Sequence, residues 1–253
     1  MAQYKSPRER RTLLADNLFG DYIRQRREDA WLTRTELAKK ANLSVSLIEK
    51  IELGTRPPTL HSLQILFDHL DVAPMFRRHI LDLSLPGLFG PPPTAPSAPD
   101  ADDLADLAVL DHPASFYTLP ALTIAAANAA HRRTFPGLVP GTSFLEWIFL
   151  EPIAREVIVE WRKEARRCIH TVRQLSPGLA KDQGLGTTIR ACSEATEWEE
   201  LWNSKPRSDF DSDLLVRDPI DRQVRSLRVR LYSPEYPQRA WWLRRLVPGV
   251  GDQ

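Results

Sequence analysis

Six prolines fall within the fourteen residues 86–99: Pro86, Pro91, Pro92, Pro93, Pro96 and Pro99. Proline has no backbone N–H to give to a helix or a central strand, and it restricts the residue before it. No regular element is expected through this stretch, which reads as a semi-rigid, extended linker. Asp100, Asp102, Asp103, Asp106 and Asp111 follow, with no Lys or Arg between Pro86 and Asp111. The first sixty residues, in contrast, carry twelve basic against eight acidic side chains. A proline barrier and a change of charge in the same place predict a domain over residues 1–85, a Pro/Asp-rich linker over 86–103 and a second domain over 104–253.

The length of 253 residues accommodates two domains, at ~100–200 residues each. The net charge is +1, so a site for nucleic acid must be a local patch. Cys168 and Cys192 are the only cysteines and lie in no metal-ligand pattern, which fits a reducing cytoplasm. No apolar run approaches the ~18–20 residues of a membrane helix, and the charged opening Met1 to Arg11 has no apolar core, so no secretory signal is expected. These observations exclude a disulfide scaffold and a membrane protein, and predict a cytoplasmic one.

The N-terminal part reads as short helices. Thr33-Arg-Thr-Glu36 is a capping box, in which hydroxyl and carboxylate each satisfy a free amide at a helix start. The helix it opens places Leu37, Ala38 and Ala41 on one face; Ser44 then caps a further helix with Leu47, Ile48 and Ile51 inward, and Gly54 supplies a left-handed stop. Two short helices joined by a tight turn inside a small bundle present a helix to a DNA major groove.

The run from Leu32 to Pro58 resembles the XRE helix-turn-helix family, a likeness that extends over about residues 17–72. It implies that Ser44, Val45, Ser46 and Lys50 meet base edges, that Arg34 touches phosphate or braces the recognition helix, and that Thr33 and Arg56 contact the DNA backbone. It also implies a structural ion pair between Arg27 and Glu52. Trp31 stands where the family has a glycine; because Trp disfavours positive φ, this corner is expected to be built differently, with the ring packed across it. One such module reads only three or four base pairs, so a homodimer on a palindromic operator in double-stranded DNA is expected.

Beyond the linker, strands are expected over Ser115–Pro120 and Ala121–Ala125, followed by a helix from Ala126 to Arg133 and another from Ser143 to Leu150. A single long helix is expected from Pro152 to Leu175, and Thr196–Glu199 reads as a second capping box. The alternating tail around Leu227–Leu231 and a strand from Arg239 to Val247 complete the expectation of an α+β domain, an antiparallel sheet with helices on one side. The six histidines have no metal-ligand spacing, and no nucleophile or nucleotide-binding motif occurs. Neither a catalytic constellation nor a cofactor is therefore expected.

The segments around Ala125–Ala130, Thr142–Trp161 and Ser193–Trp202 resemble the MmyB-like regulator family, which joins an XRE head to a PAS-like ligand-binding domain. Its best marker is the segment resembling Phe149-Leu-Glu-Pro-x-Ala-Arg; Asp218-Pro219 and Trp241 to Arg245 depart from its pattern. The resemblance implies an apolar sensor pocket for a fatty acid or similar small molecule, with Trp147, Phe149, Trp161, Trp198 and Trp202 as candidate lining and Asn128 as polar anchor. The same aromatics at helical spacing also fit an ordinary core. The expected function is thus a homodimeric, effector-tuned transcription regulator. Its rivals are a regulator whose second domain serves only dimerisation, an enzyme carrying a DNA-binding head, and an antitoxin-like partner protein.

Overall fold

The computed structural model describes residues 18–84, 98–175, 183–204, 213–234, 239 and 241–249. These divide into two compact units. The core of the proline-rich segment, residues 86–97, lies outside the described residues.

The first unit is all helical: α1 (Leu18–Asp29), α2 (Arg34–Ala41), α3 (Val45–Glu52), α4 (Leu60–His69) and α5 (Pro74–Ser84). Side-chain caps mark the starts. Thr33 opens α2 through the expected capping box, Ser44 accepts a hydrogen bond from Leu47 N at α3, and Thr59 and Ser62 form a reciprocal box at α4. The turn between α2 and α3 is closed by Asn42 in the left-handed region and by Leu43 N donating to Ala38 O. Tyr22, Ile23, Leu37, Ile48, Ile51, Leu66 and Phe67 are almost fully buried and form the core.

The corner after α1 differs from expectation. Trp31 adopts φ 58°, the conformation a glycine would take there, and the residue is 73% exposed. Trp31 N donates to Glu28 O and Leu32 N to Arg27 O, while Arg27 Nη1 donates to Leu32 O. This clamp imposes the left-handed residue whatever its side chain.

The second unit is an α+β domain. Its elements are α6 (Ala101–Ala108), β1 (Ala114–Thr118), β2 (Thr123–Ala127), α7 (Ala129–Thr134), α8 (Phe144–Leu150), α9 (Pro152–Val157), α10 (Trp161–Leu175), α11 (Gln183–Cys192), α12 (Trp198–Trp202), β3 (Asp213–Arg217), β4 (Val224–Tyr232) and β5 (Trp241–Pro248). The five strands form one antiparallel sheet in the order β2-β1-β5-β4-β3. One face carries Ala114, Phe116, Ala126 and Trp241, packed with Leu107 of α6. On the other face Ser115 pairs in register with Arg244, and Tyr117 with Trp242.

Four local expectations are corrected. The last residues assigned to the linker, Ala101 to Asp103, begin α6, capped by Asp100 through its bond from Asp103 N, and α6 places a helix on the second face of the sheet. The chain over Ala126–Arg133 divides into the end of β2 and the start of α7, with Asn128 as N-cap. The long helix from Pro152 breaks after Val157: Ile158 bridges Val216, and Val159 N donates to Leu215 O. The β-branched run Val157-Ile158-Val159 suits that extended detour. At α12 the N-cap is Glu197 and no side-chain capping bond forms, so Thr196–Glu199 is not a capping box.

Among the described residues no helix is long and apolar enough to cross a membrane, and no group of three His, Cys, Asp or Glu side chains could hold a metal ion.

Candidate functional site

In the helical unit the candidate site is the outward face of α3. Burial sorts the helix cleanly: Ile48, Ile51 and Glu52 face inward, while Val45, Ser46 and Lys50 are exposed. Val45 is 42% exposed, unusual for an aliphatic residue with core available beside it and suited to contact with a thymine methyl. Ser44 is spent partly on capping. Arg56 is exposed just past the helix, and its amide and that of Thr55 both donate to Lys50 O, which ties the loop to the helix end.

Glu52 anchors this face from behind. Its side chain is fully buried and accepts from Arg27 Nε at 2.6 Å, Arg27 Nη2 at 3.1 Å and Arg34 Nε at 2.7 Å. The hydrogen bonds and the negative charge of Glu52 push the pKa of Arg27 up. Of the two roles open to Arg34, this geometry gives it the brace, linking the start of α2 to the end of α3. Thr33 is similarly occupied: its hydroxyl accepts from Glu36 N and donates to Glu36 Oε2 at 2.7 Å, so a phosphate contact would have to compete with the cap. The Thr33 amide, and after it the hydroxyl, donate to Glu36 Oε2 and hold the exposed carboxyl below its usual range.

In the second unit the expected aromatic ligand residues fall into two packing groups. Trp147 and Phe149 lie two positions apart on α8 and join different groups. Trp147 is fully buried, packs against Phe135 and Phe144, and donates its indole N–H to Pro136 O at 2.9 Å. Phe149 instead meets Trp161 and Trp198 edge-to-face, with centroids 5.6 and 5.0 Å away, and Trp202 stacks on Trp198. Trp161 donates to Ile148 O at 2.7 Å. Arg155 lies 3.7 Å over the Trp161 ring and pairs with Glu197, so this group is a closed structural stack.

Asn128 is a structural residue. Its Oδ1 accepts from Ala114 N and His131 N, and its Nδ2 donates to Leu110 O and His112 O, all between 2.8 and 3.1 Å. An amide side chain has two donors and two acceptor lone pairs, and these bonds use all four. The residue ties the start of β1 to the start of α7, leaving nothing with which to anchor a ligand.

The polar groups that sequence reasoning missed lie on the helix-covered face of the sheet: Ser115 and Tyr117 of β1, His131 of α7, Glu164 of α10 and Arg244 of β5. Arg244 is stacked over Phe144 at 4.8 Å and desolvated, which lowers its pKa. An open cleft of about 490 Å³ also lies at the end of the sheet, bordered by His112, Arg133, Asp218, Arg225, Leu227 and Pro248. None of the six expected ligand residues borders it.

Residues 18–79 match the model of a helix-turn-helix domain, and residues 104–240 match that of the MmyB-like transcription regulator ligand binding domain. A helix-turn-helix head with such a domain behind it defines a DNA-binding transcription regulator. Since the second match spans more than half of its length, the chain belongs to the MmyB-like transcription regulator ligand-binding-domain family. No curated protein matches it.

Proposed function

We propose that this regulator is a cytoplasmic homodimer that binds a palindromic operator through α3 and whose affinity for that operator is set by a small amphipathic effector of the fatty-acid type. The observation that carries the DNA half is the division of labour on α3. Glu52 is locked inward by two arginines, while Val45, Ser46 and Lys50 are left outward on the same rigid helix. On this reading Val45 and Lys50 read base edges with Ser44 and Ser46 beside them, Arg56 sets register on phosphate, Thr33 contributes through its backbone position, and Arg34 positions the reading helix. The effector half rests on the family match and on a domain interior that contains polar groups without protein partners.

Regulation follows as a population shift. An effector that favours one placement of the two heads of the dimer makes half-site spacing fit or fail. A tenfold change in operator affinity needs only about 1.4 kcal/mol of coupling, and DNA must then change effector affinity by the same factor.

The test begins with operator selection from random duplexes, followed by titration of two variants. Lys50→Ala is expected to cost ~1–3 kcal/mol of specific affinity and to relax preference at one base pair of each half-site. Arg56→Ala should weaken all sequences alike and reduce the salt slope by about one. Uniform loss on every sequence from both variants would show that α3 does not read bases as assigned, and a monomer at the selected operator would remove the dimer.

A further inference from the structure

Arg244 lies in β5 between Ser115 of β1 and Leu231 of β4 in register, and its side chain reaches toward Phe144 of α8 and Glu164 of α10. A guanidinium carries five N–H donors. Those of Arg244 make no hydrogen bond to the described residues. The nearest carboxylate oxygen, Glu164 Oε1, is 3.8 Å away, beyond hydrogen-bonding distance. That carboxylate is also held by Arg167 at 2.6 and 2.7 Å. Unlike Arg27, which holds Glu52 at 2.6 Å in the other unit, Arg244 is desolvated with its nearest carboxylate at 3.8 Å, a looser partner than such burial usually has.

Its neighbours share the deficit. Ser115, opposite Arg244 on the adjoining strand, is fully buried, and its hydroxyl has no hydrogen-bond partner. His131 is 1% exposed, and neither ring nitrogen has one. Desolvation first, and then the nearby charges of Arg244 and Arg132, bring its pKa down to about 3, so the ring is neutral. A neutral imidazole has one N–H to donate. Tyr117 lies on the same face, two residues beyond Ser115, and feels the charge of Arg244. Each buried polar group without a partner costs ~1–3 kcal/mol, and a charged one more. Such groups converging on one guanidinium form a site that stability alone does not explain.

Two details define the ligand chemistry. Although its guanidinium is desolvated, Arg244 keeps 12% of its side-chain surface accessible, so it is not sealed off from solvent. Aromatic rings stand beside the polar groups: Phe144 under Arg244, and Phe135 against His131 with centroids 5.0 Å apart. Glu164 next to the guanidinium also penalises a second negative charge, which favours a carboxylate over a phosphate dianion.

We propose that Arg244 is the anion anchor of the effector site, binding a monocarboxylate whose oxygens also accept hydrogen bonds from Ser115 and His131 and whose apolar body lies against Phe144 and Phe135. This rests on the reading of the domain as a sensor of the fatty-acid type and adds to it which side chains take the carboxylate head group. Arg244 and carboxylate form a charge-assisted pair in a desolvated setting, where such bonds are strongest.

The test is calorimetric titration of the full-length protein with sodium octanoate and with 1-octanol, probes of equal chain length that differ in charge. Octanoate is expected to bind at least tenfold more tightly than octanol. Arg244→Leu should lower octanoate affinity at least tenfold and leave octanol within threefold, while Ser115→Ala lowers octanoate affinity severalfold. Because leucine replaces a desolvated charge that makes no hydrogen bond to the described residues and has its nearest carboxylate 3.8 Å away, Arg244→Leu is expected to melt no lower than the parent, so thermal unfolding separates lost binding from lost folding. Equal affinity for the two probes, or full octanoate affinity in Arg244→Leu, overturns the anchor while leaving an apolar sensor standing. Binding of neither probe overturns the apolar-effector reading and the anchor with it.

Discussion

Glu52 in the helical unit and Arg244 in the sheet unit are both charged side chains withdrawn from water, and their surroundings are opposite. Glu52 accepts three hydrogen bonds from two arginines, each between 2.6 and 3.1 Å. Arg244 has an aromatic ring beneath it and a carboxylate at 3.8 Å that another arginine already holds. A saturated buried charge fixes geometry: it sets the angle between α1, α2 and α3 and so aims the reading face. An unsaturated one is a standing demand for a counter-ion. The same contrast separates Asn128, whose four bonds are all spent on backbone, from Ser115 and His131, which have none for their side chains. Tyr22 of the helical core also has a hydroxyl without a partner, so it is the grouping of Ser115 and His131 with Arg244, and not lack of a partner alone, that marks the candidate site.

The largest expected effect comes from breaking the saturated side. Glu52→Ala takes from the buried Arg27 its main acceptor, leaving it Leu32 O and Glu28, and releases the half-exposed Arg34, and loss of one partner of a buried pair costs ~3–5 kcal/mol. Hydrogen exchange at the amides of Ile48 and Ile51 in the full-length variant should show that loss of protection in the helical unit and little change in β1 or β5. A cost near that of an exposed pair, below ~1 kcal/mol, would mean that the brace is ornamental and that α3 is aimed by its apolar packing.

His131 separates the units by pH. Its native pKa of about 3 lies below the unfolded value, which for histidine is ~6.5. The native state therefore binds the proton less readily. Its contribution is fully present above the unfolded pKa and is lost as pH falls from there toward the native one. Between pH 7 and pH 5 the sheet unit should lose about 2 kcal/mol through this residue alone. His61 and His69 of the helical unit are exposed, so no matching loss is expected from them. Urea titrations of the parent and of His131→Phe at both pH values check this. An unchanged pH slope in the variant would assign the acid sensitivity to carboxylates.

What was legible in the sequence follows the range of the forces involved. Caps act over three residues, so Thr33–Glu36 and Ser44 announce α2 and α3 directly, and the whole helix-turn-helix can be read from one window. The break after Val157 cannot, because its cause is Val216 and Leu215 some sixty residues on, in a strand that no local pattern marked. Aromatic residues at helical spacing indicated burial correctly for Trp147, Phe149, Trp161 and Trp198, but not that they fall into two separate stacks. Arg244 was hidden for a related reason. In the neighbouring strand, arginines alternate with leucines as solvent-facing residues do, and only the register of β5 against β1 shows that this arginine points inward.

The smallest expected effect concerns the corner where the helical unit departs from its family's pattern. Trp31 is 73% exposed and holds a left-handed backbone, a conformation that costs an L-residue ~1–2 kcal/mol. Trp31→Gly removes that strain but loosens the unfolded chain, which opposes it by ~0.4–1 kcal/mol. The net change should lie within about 1 kcal/mol of zero, on the stabilising side. Trp31→Ala removes the same ring and keeps the strain, so the glycine variant should exceed the alanine variant by about 1 kcal/mol, the margin set by a β-carbon at positive φ. Alanine matching glycine in thermal unfolding would show that the clamp from Arg27 to Leu32 relaxes when the ring is gone. A fall in operator affinity common to both variants would place the exposed ring on the DNA and enlarge the reading surface beyond α3.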